Sequence, residues 1–121
     1  VPYSKEIIDI VEKKLKSGIK IRSIFSESTV IPEERKEVFK KKNFQKFVIQ
    51  GNLERKMINR ISIVTLINEK EACIIFPTKN GKSDLSEMIY SKDTQFHEWC
   101  LDYFNYLWNN SNSFQEDKLA K

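Results

Sequence analysis

Residues 60–108 constrain the fold of this chain more than any other segment. Two apolar runs, 61–67 and 72–76, are rich in β-branched residues, and only four residues, Asn68 to Glu71, separate them. Such spacing predicts a β-hairpin. The polar residues 77–82 predict a loop, 85–90 predict a further short strand, and Asp93 or Thr94 is placed to cap a helix with one wide aromatic face.

The first 25 residues predict a helix followed by a strand. Ile7, Ile8, Val11 and Leu15 share one helical face after a candidate cap at Ser4. Gly18 is placed to end that helix, and 19–25 alternate as a strand does. Helix, glycine and strand in this order are typical of a parallel-sheet unit.

The middle of the chain leaves one alternative open. Residues 26–31 predict a loop and Pro32 suits the first turn of a second helix. Its apolar residues are irregularly spaced, so that one helix could run to Ile49 or break near Asn43. Gly51-Asn52 predicts a turn, and 53–58 a short strand with Arg55 and Lys56 on an exposed side.

These elements together predict the fold class and the domain organisation. We expect an α/β domain over residues 1–110, with one mixed sheet of about five strands and flanking helices. Residues 111–121 are polar and are expected to fray as a C-terminal tail.

The composition limits the cellular location and the binding partners that can be expected for this protein. The 121 residues contain no apolar run of about 18 residues, which argues against a membrane span. Cys73 and Cys100 lie in apolar segments, and buried, reduced thiols in a cytoplasmic protein are expected. Residues 1–60 hold 15 Lys or Arg against 8 acids, whereas residues 61–121 hold 6 against 9. The basic half is either a solvated face or a surface for polyanions.

No catalytic or metal motif emerges from the sequence. His97 is the single histidine, and although Cys100 lies three residues on, no second pair could complete a tetrahedral metal site. Gly81-Lys82-Ser83 lacks the earlier glycine of a phosphate-binding loop. Asp84 and Glu87 fall on opposite faces of a strand, which does not suit acid–base catalysis.

Four residues form the predicted ligand-binding set: Arg22, Arg60, Asp84 and Trp99. Arg22 lies in a strand expected to be buried, so it needs either an internal carboxylate or an anionic ligand. Arg60 precedes a core strand and raises the same question. Asp84 could instead bind loop backbone, and Trp99 could belong to an aromatic core stripe.

The sequence also resembles a known family over residues 1–110. The matching patterns are Val1-Pro2-Tyr3, Gly18-Ile19-Lys20-Ile21-Arg22, Glu69-Lys70-Glu71-Ala72, the turn at residues 81–86 and Phe96-His97-Glu98-Trp99-Cys100 with Phe104 and Trp108. They look like the effector domains of archaeal winged-helix transcriptional regulators of the TrmB-like and methanogenesis-regulator type. That resemblance implies a fold similar to one half of phospholipase D.

The enzymatic motif of phospholipase D is absent. It requires His-x-Lys-x4-Asp on the strand expected at 61–67, where this chain has Ile61-Ser62-Ile63. The resemblance therefore implies a non-enzymatic, cofactor-free domain that binds a small-molecule effector and forms a homodimer. DNA would be bound only through a winged helix that this chain does not contain.

Three other functions are compatible with the sequence. The basic residues 36–60 could form a nucleic-acid-binding module whose affinity falls with salt. Arg22, Asp84 and His97 could belong to an unfamiliar enzyme site. An exposed strand edge could pair with a partner in a scaffold.

Overall fold

The computed structural model describes residues 5–77 and 83–120, apart from the side chains of Lys5, Pro77 and residues 83–87. Its helices are α1 (Lys5–Lys16), α2 (Glu33–Lys41), α3 (Gln45–Gln50) and α4 (Thr94–Asn109), with a short 3-10 helix at Glu116–Lys118. Its strands are β1 (Ile21–Ser26), β2 (Leu53–Ile58), β3 (Val64–Ile67), β4 (Ala72–Pro77), β5 (Ser83–Ser91) and β6 (Asn112–Ser113). The predicted α/β class is confirmed.

The strands form two sheets rather than one. In sheet A, β1 pairs in parallel with β2, and β2 pairs antiparallel with β6. In sheet B, β3, β4 and β5 form an antiparallel meander. The prediction of a single mixed sheet of about five strands is therefore wrong, because the second edge of β2 is taken by β6 and not by β3.

The helix, glycine and strand predicted at the start of the chain are present. Gly18 has φ of 91°, and its amide donates to the Leu15 carbonyl at 3.1 Å while Ile19 donates to Lys14 at 3.2 Å. Many helices end with a left-handed residue and these two hydrogen bonds. The cap predicted at Ser4 lies outside the described residues.

Asn43 decides the alternative left open in the middle of the chain. Its φ of 53° is left-handed, which ends helical geometry and separates α2 from α3. The break turns Phe44 and Phe47 inward, where they are 3% exposed and pack with Leu15 and Leu53. This cluster is the core on one side of sheet A.

Sheet B and α4 form the second core. The Asn68 side-chain oxygen accepts from the amides of Lys70 and Glu71, both at 2.8 Å, which closes the predicted hairpin. Ala72, Ile74 and the fully buried Cys100 pack together between β4 and α4. Asp93 caps α4, as the sequence predicted, by accepting from the Gln95 amide at 3.2 Å.

The C-terminal segment is packed as far as the structure describes it, so the prediction that the tail of residues 111–121 frays is wrong for residues 111–120. Ser113 and Asn112 pair with Lys56 and Met57 of β2. Phe114 contacts Phe25, with ring centroids 5.0 Å apart, and Leu119 is 6% exposed. The apolar residues Phe114 and Leu119 hold a segment whose overall composition is polar.

Candidate ligand-binding site

A cavity of about 880 Å³ lies against one face of sheet A. Side chains alternate between the two faces of a strand, and Ile21, Ser23 and Phe25 of β1 point to this cavity together with Leu53 and Arg55 of β2. Helices α1 and α2 and residues 114–120 also line it, together with Ile31, Phe44 and Leu66, the last from β3 of sheet B. We call this space the sheet A cavity.

Arg55 is the polar residue at the floor of the sheet A cavity. Its guanidinium carbon lies 4.2 Å from the ring centroid of Phe114 and 5.2 Å from that of Phe39. Its Nε is buried and has no hydrogen-bond partner among the described residues. Burial lowers the pKa of Arg55, the charge of Arg35 lowers it further, and Glu116 raises it. The group still remains protonated at neutral pH.

Arg35 brings a second guanidinium to the same cavity from α2. Its guanidinium carbon lies 5.7 Å from the ring centroid of Phe25, and burial lowers the pKa of Arg35. Within the described part of the chain, neither Arg35 nor Arg55 forms an ion pair. Aromatic faces attract these cations and offset part of their lost hydration.

The carboxylates that line the cavity are more exposed than its two arginines. The acidic residues Glu33, Glu37, Glu116 and Asp117 are all exposed, whereas Arg35 and Arg55 are half-buried. The side chain of Glu33 is 81% exposed and pairs with Lys36 at 3.3 Å. The inner part of the sheet A cavity is therefore apolar and cationic.

The opposite face of sheet A holds Arg22, and the prediction that this arginine is buried is wrong. Its side chain is 50% exposed and pairs across the strands with Glu54 at 3.6 Å. The guanidinium carbon lies 5.3 Å from the ring of Trp108, which α4 places on this face. A carboxylate partner for Arg22 is thus present as Glu54, but it is not the internal one that was predicted, since its side chain is 42% exposed.

The other three predicted ligand-binding residues lie on three different parts of the chain. Arg60 is exposed in the loop after β2. Asp84 lies in β5, and its side chain is among those outside the description. Trp99 is 51% exposed on α4 and stacks on Tyr103, with centroids 5.5 Å apart.

The described residues contain no group of three or more His, Cys, Asp or Glu arranged to hold a metal ion. His97 Nε2 lies 2.6 Å from the Asn68 carbonyl oxygen, which ties α4 to the β3–β4 turn. Both cysteines are free and buried, and burial raises the pKa of each thiol. None of the helices in the described ranges has the length and apolar character required to cross a bilayer.

Arg55 was missed because the sequence alone suggested that Arg55 and Lys56 share an exposed side. Neighbours on a strand face opposite ways. Arg55 points into the sheet A cavity, and Lys56 points to the other face, where its Nζ donates to the Trp108 carbonyl at 3.2 Å. Strict alternation from buried Leu53 would have placed Arg55 on the inner face.

The comparisons with known proteins identify a family. No curated protein matches the sequence. A solved structure of TrmBL2, described as an archaeal chromatin protein with a novel mode of DNA binding, matches with a TM-score of 0.63 at 15% identity. The match covers 88% of this chain and 39% of TrmBL2, so this chain spans well under half of that protein, and the likeness concerns the fold. The family described as the middle domain of the methanogenesis regulatory protein FilR1 matches residues 1–110, and the chain therefore belongs to that family.

Proposed function

We propose that this domain is the effector-sensing and dimerising part of an archaeal transcriptional regulator, without catalytic activity. The observation that carries the proposal is the sheet A cavity. Its volume of about 880 Å³ falls within the range of about 300–1,000 Å³ that is usual for small-molecule sites. Membership of a regulatory-protein family supports the same function. DNA binding would belong to another domain, and the phospholipase D-like half stays a prediction.

The C-terminal segment gives a bound effector a way to act on the rest of the protein. Phe114, Leu119 and Ala120 line the cavity, and the Ala120 amide donates to the Glu27 carbonyl at 3.0 Å. An effector that contacts this wall would favour the conformation in which the segment is docked. A ligand shifts a conformational equilibrium only by its difference in affinity for the two states.

Helix α4 supports the dimerisation part of the proposal. Trp99 and Tyr106 are 51% and 66% exposed, and with Tyr103 they form one stripe at helical spacing. Contiguous exposed aromatic surface is typical of protein contacts. In sedimentation-velocity runs, Trp99→Ser with Tyr106→Ser should convert a dimer to a monomer. A wild-type chain that stays monomeric at high concentration would refute this part.

The nucleic-acid alternative is weakened by how the basic residues of segment 36–60 are used. Lys42 pairs with Asp9 and with Glu12, each at 3.0 Å. Lys36 pairs with Glu33, and Arg55 lies in the cavity. These cations are engaged within the fold, which leaves fewer for a phosphate backbone.

The test is a thermal-shift screen against metabolites and polyanions at low and high salt. A ligand raises Tm by mass action when it binds the folded state. Ser23→Phe would fill the cavity beside Arg55, and Ser62→Phe, at an exposed position, is the matched control. We expect a metabolite shift that survives high salt in wild type and in Ser62→Phe and is lost in Ser23→Phe.

Two outcomes would contradict the proposal. One is a shift that Ser23→Phe leaves unchanged while its circular dichroism spectrum matches that of wild type. The other is a shift with polyanions alone that high salt removes, which would move the function to the basic surface.

A further inference from the structure

We infer that the sheet A cavity selects small organic anions with an apolar body, and that Arg55 and Arg35 bind the anionic group. The inference rests on the proposed function, because it specifies the chemistry of the ligand that the cavity would take. Three independent features of the cavity lead to it.

The first feature is the unpaired Nε of Arg55. A guanidinium has five N–H donors in its plane, and an aromatic ring covers its face without accepting from that edge. The rings of Phe39 and Phe114 lie over the group, while the buried Nε has no partner in the described residues. Buried polar groups are nearly always hydrogen-bonded, so this N–H is suited to an in-plane acceptor from a ligand.

The second feature is the pairing of two like charges in one cavity. Arg35 and Arg55 both line the cavity, and each guanidinium lies over a phenylalanine ring that also lines it. After burial, the charge of Glu116 has the larger effect on the pKa of Arg55 and raises it, and the charge of Arg35 lowers it. An anionic group that contacts both guanidiniums would add to this partial neutralisation by Glu116. Arginine is the residue that binds carboxylate, sulfonate and phosphate groups through two parallel hydrogen bonds.

The third feature is the apolar lining around the two arginines. Phe25, Phe39 and Phe114 present rings to the cavity, and Ile8 and Val11 of α1 face them. This surface suits an aromatic or aliphatic body, which a fully hydrated ion such as inorganic phosphate lacks. Recognition would combine one charge-assisted contact with apolar burial.

Anilinonaphthalene sulfonate and N-phenylnaphthylamine test the inference as a pair. The two fluorescent probes share the same aromatic body, and only the first carries a sulfonate. The experiment titrates each probe into the wild-type chain and compares the two affinities. We expect the sulfonate to bind about ten-fold more tightly or better, which is the usual effect of a hydrogen bond to a charged group.

Three variants assign the preference to the cavity. Arg55→Met removes the charge and keeps the bulk, and it should abolish most of the preference for the sulfonate. Arg55→Lys restores the charge without the planar fork and should recover part of it. Arg22→Met is the matched control, because Arg22 also lies over an aromatic ring in sheet A but on the opposite face. It should leave the preference unchanged.

The outcomes separate the inference from the proposed function. Equal affinity of the two probes for the wild-type chain would overturn the selection of anions while the cavity remained a ligand site. A preference that persists in Arg55→Met, or that disappears in Arg22→Met, would also overturn it. Failure of both probes to bind would overturn the inference together with the proposed effector site.

Discussion

Leu119→Ala tests whether the C-terminal segment belongs to the fold. Leu119 is 6% exposed, and its neighbour Ala120 is bound to Glu27. Replacing a buried leucine by alanine costs about 2–5 kcal/mol. Leu119 lies beside the sheet A cavity, where some contacts are already missing, so we expect the lower end, about 2 kcal/mol.

This cost converts into a measurable shift of the melting temperature. At about 2.1 cal/mol/K per residue, the 121 residues give an unfolding entropy of about 0.25 kcal/mol/K. A loss of about 2 kcal/mol at the transition therefore lowers Tm by about 8 °C. Circular dichroism at 222 nm during heating measures it, provided that refolding on cooling is complete.

Leu101→Ala is the control, because it makes the same substitution at an exposed position of α4 where the residue is 40% exposed. Substitutions at such positions change stability by about 0.5 kcal/mol or less, which corresponds to about 2 °C here. If Leu119→Ala and Leu101→Ala lower Tm equally, the packing of residues 114–120 contributes nothing to stability. The C-terminal wall of the sheet A cavity would then be absent in solution.

Three further perturbations have expected outcomes. The hydrogen bond from Lys42 lowers the pKa of Glu12. The stabilisation from this contact is therefore fully present above the ordinary carboxyl pKa of 4.5 and is lost as pH falls through the lowered pKa. Lys42→Gln should accordingly lower Tm more at pH 7 than at pH 3. Burial raises the pKa of Cys73 and Cys100, which keeps both thiols protonated and unreactive in the folded protein. In a denaturant series, the rate at which a thiol reagent modifies the two cysteines should therefore follow the unfolding of the chain. Gly51 has φ of 82°, and the space that a methyl group would occupy there is open, so Gly51→Ala should cost about 1–2 kcal/mol in urea denaturation through backbone strain alone.

Local signals in the sequence predicted the elements well. Gly18 and Gly51 mark the ends of α1 and α3, Asp93 caps α4, and the Asn68 turn joins β3 to β4. Each of these features depends on residues within four positions of one another, so a single sequence is enough to predict it. The membership of a regulator family was also predicted from the sequence, on patterns spread along residues 1–110.

The errors concern contacts between residues far apart in the chain. The pairing of β6 with β2 joins Ser113 to Lys56, and a polar pair of residues carries no periodic signal that predicts it. That one contact closes the edge of sheet A, divides the strands into two sheets and brings Phe114 over Arg55. The two wrong predictions, a frayed tail and a single sheet, thus have the same cause, which is that the pairing of β6 with β2 was not predicted.

The parallel register of β1 and β2 distinguishes Arg22 from Arg55 as candidate ligand-binding residues, which the sequence alone did not. Both arginines lie in strands of sheet A, and both stack on aromatic rings. The register pairs Arg22 with Glu54 and Ser23 with Arg55, so the first arginine faces a carboxylate and the second faces an uncharged hydroxyl. Glu116 partly offsets the charge of Arg55, but its buried Nε has no hydrogen-bond partner among the described residues, and a buried polar group without a partner is costly. The position that the fold leaves unsatisfied is therefore the better candidate for function than the position with the stronger sequence signal.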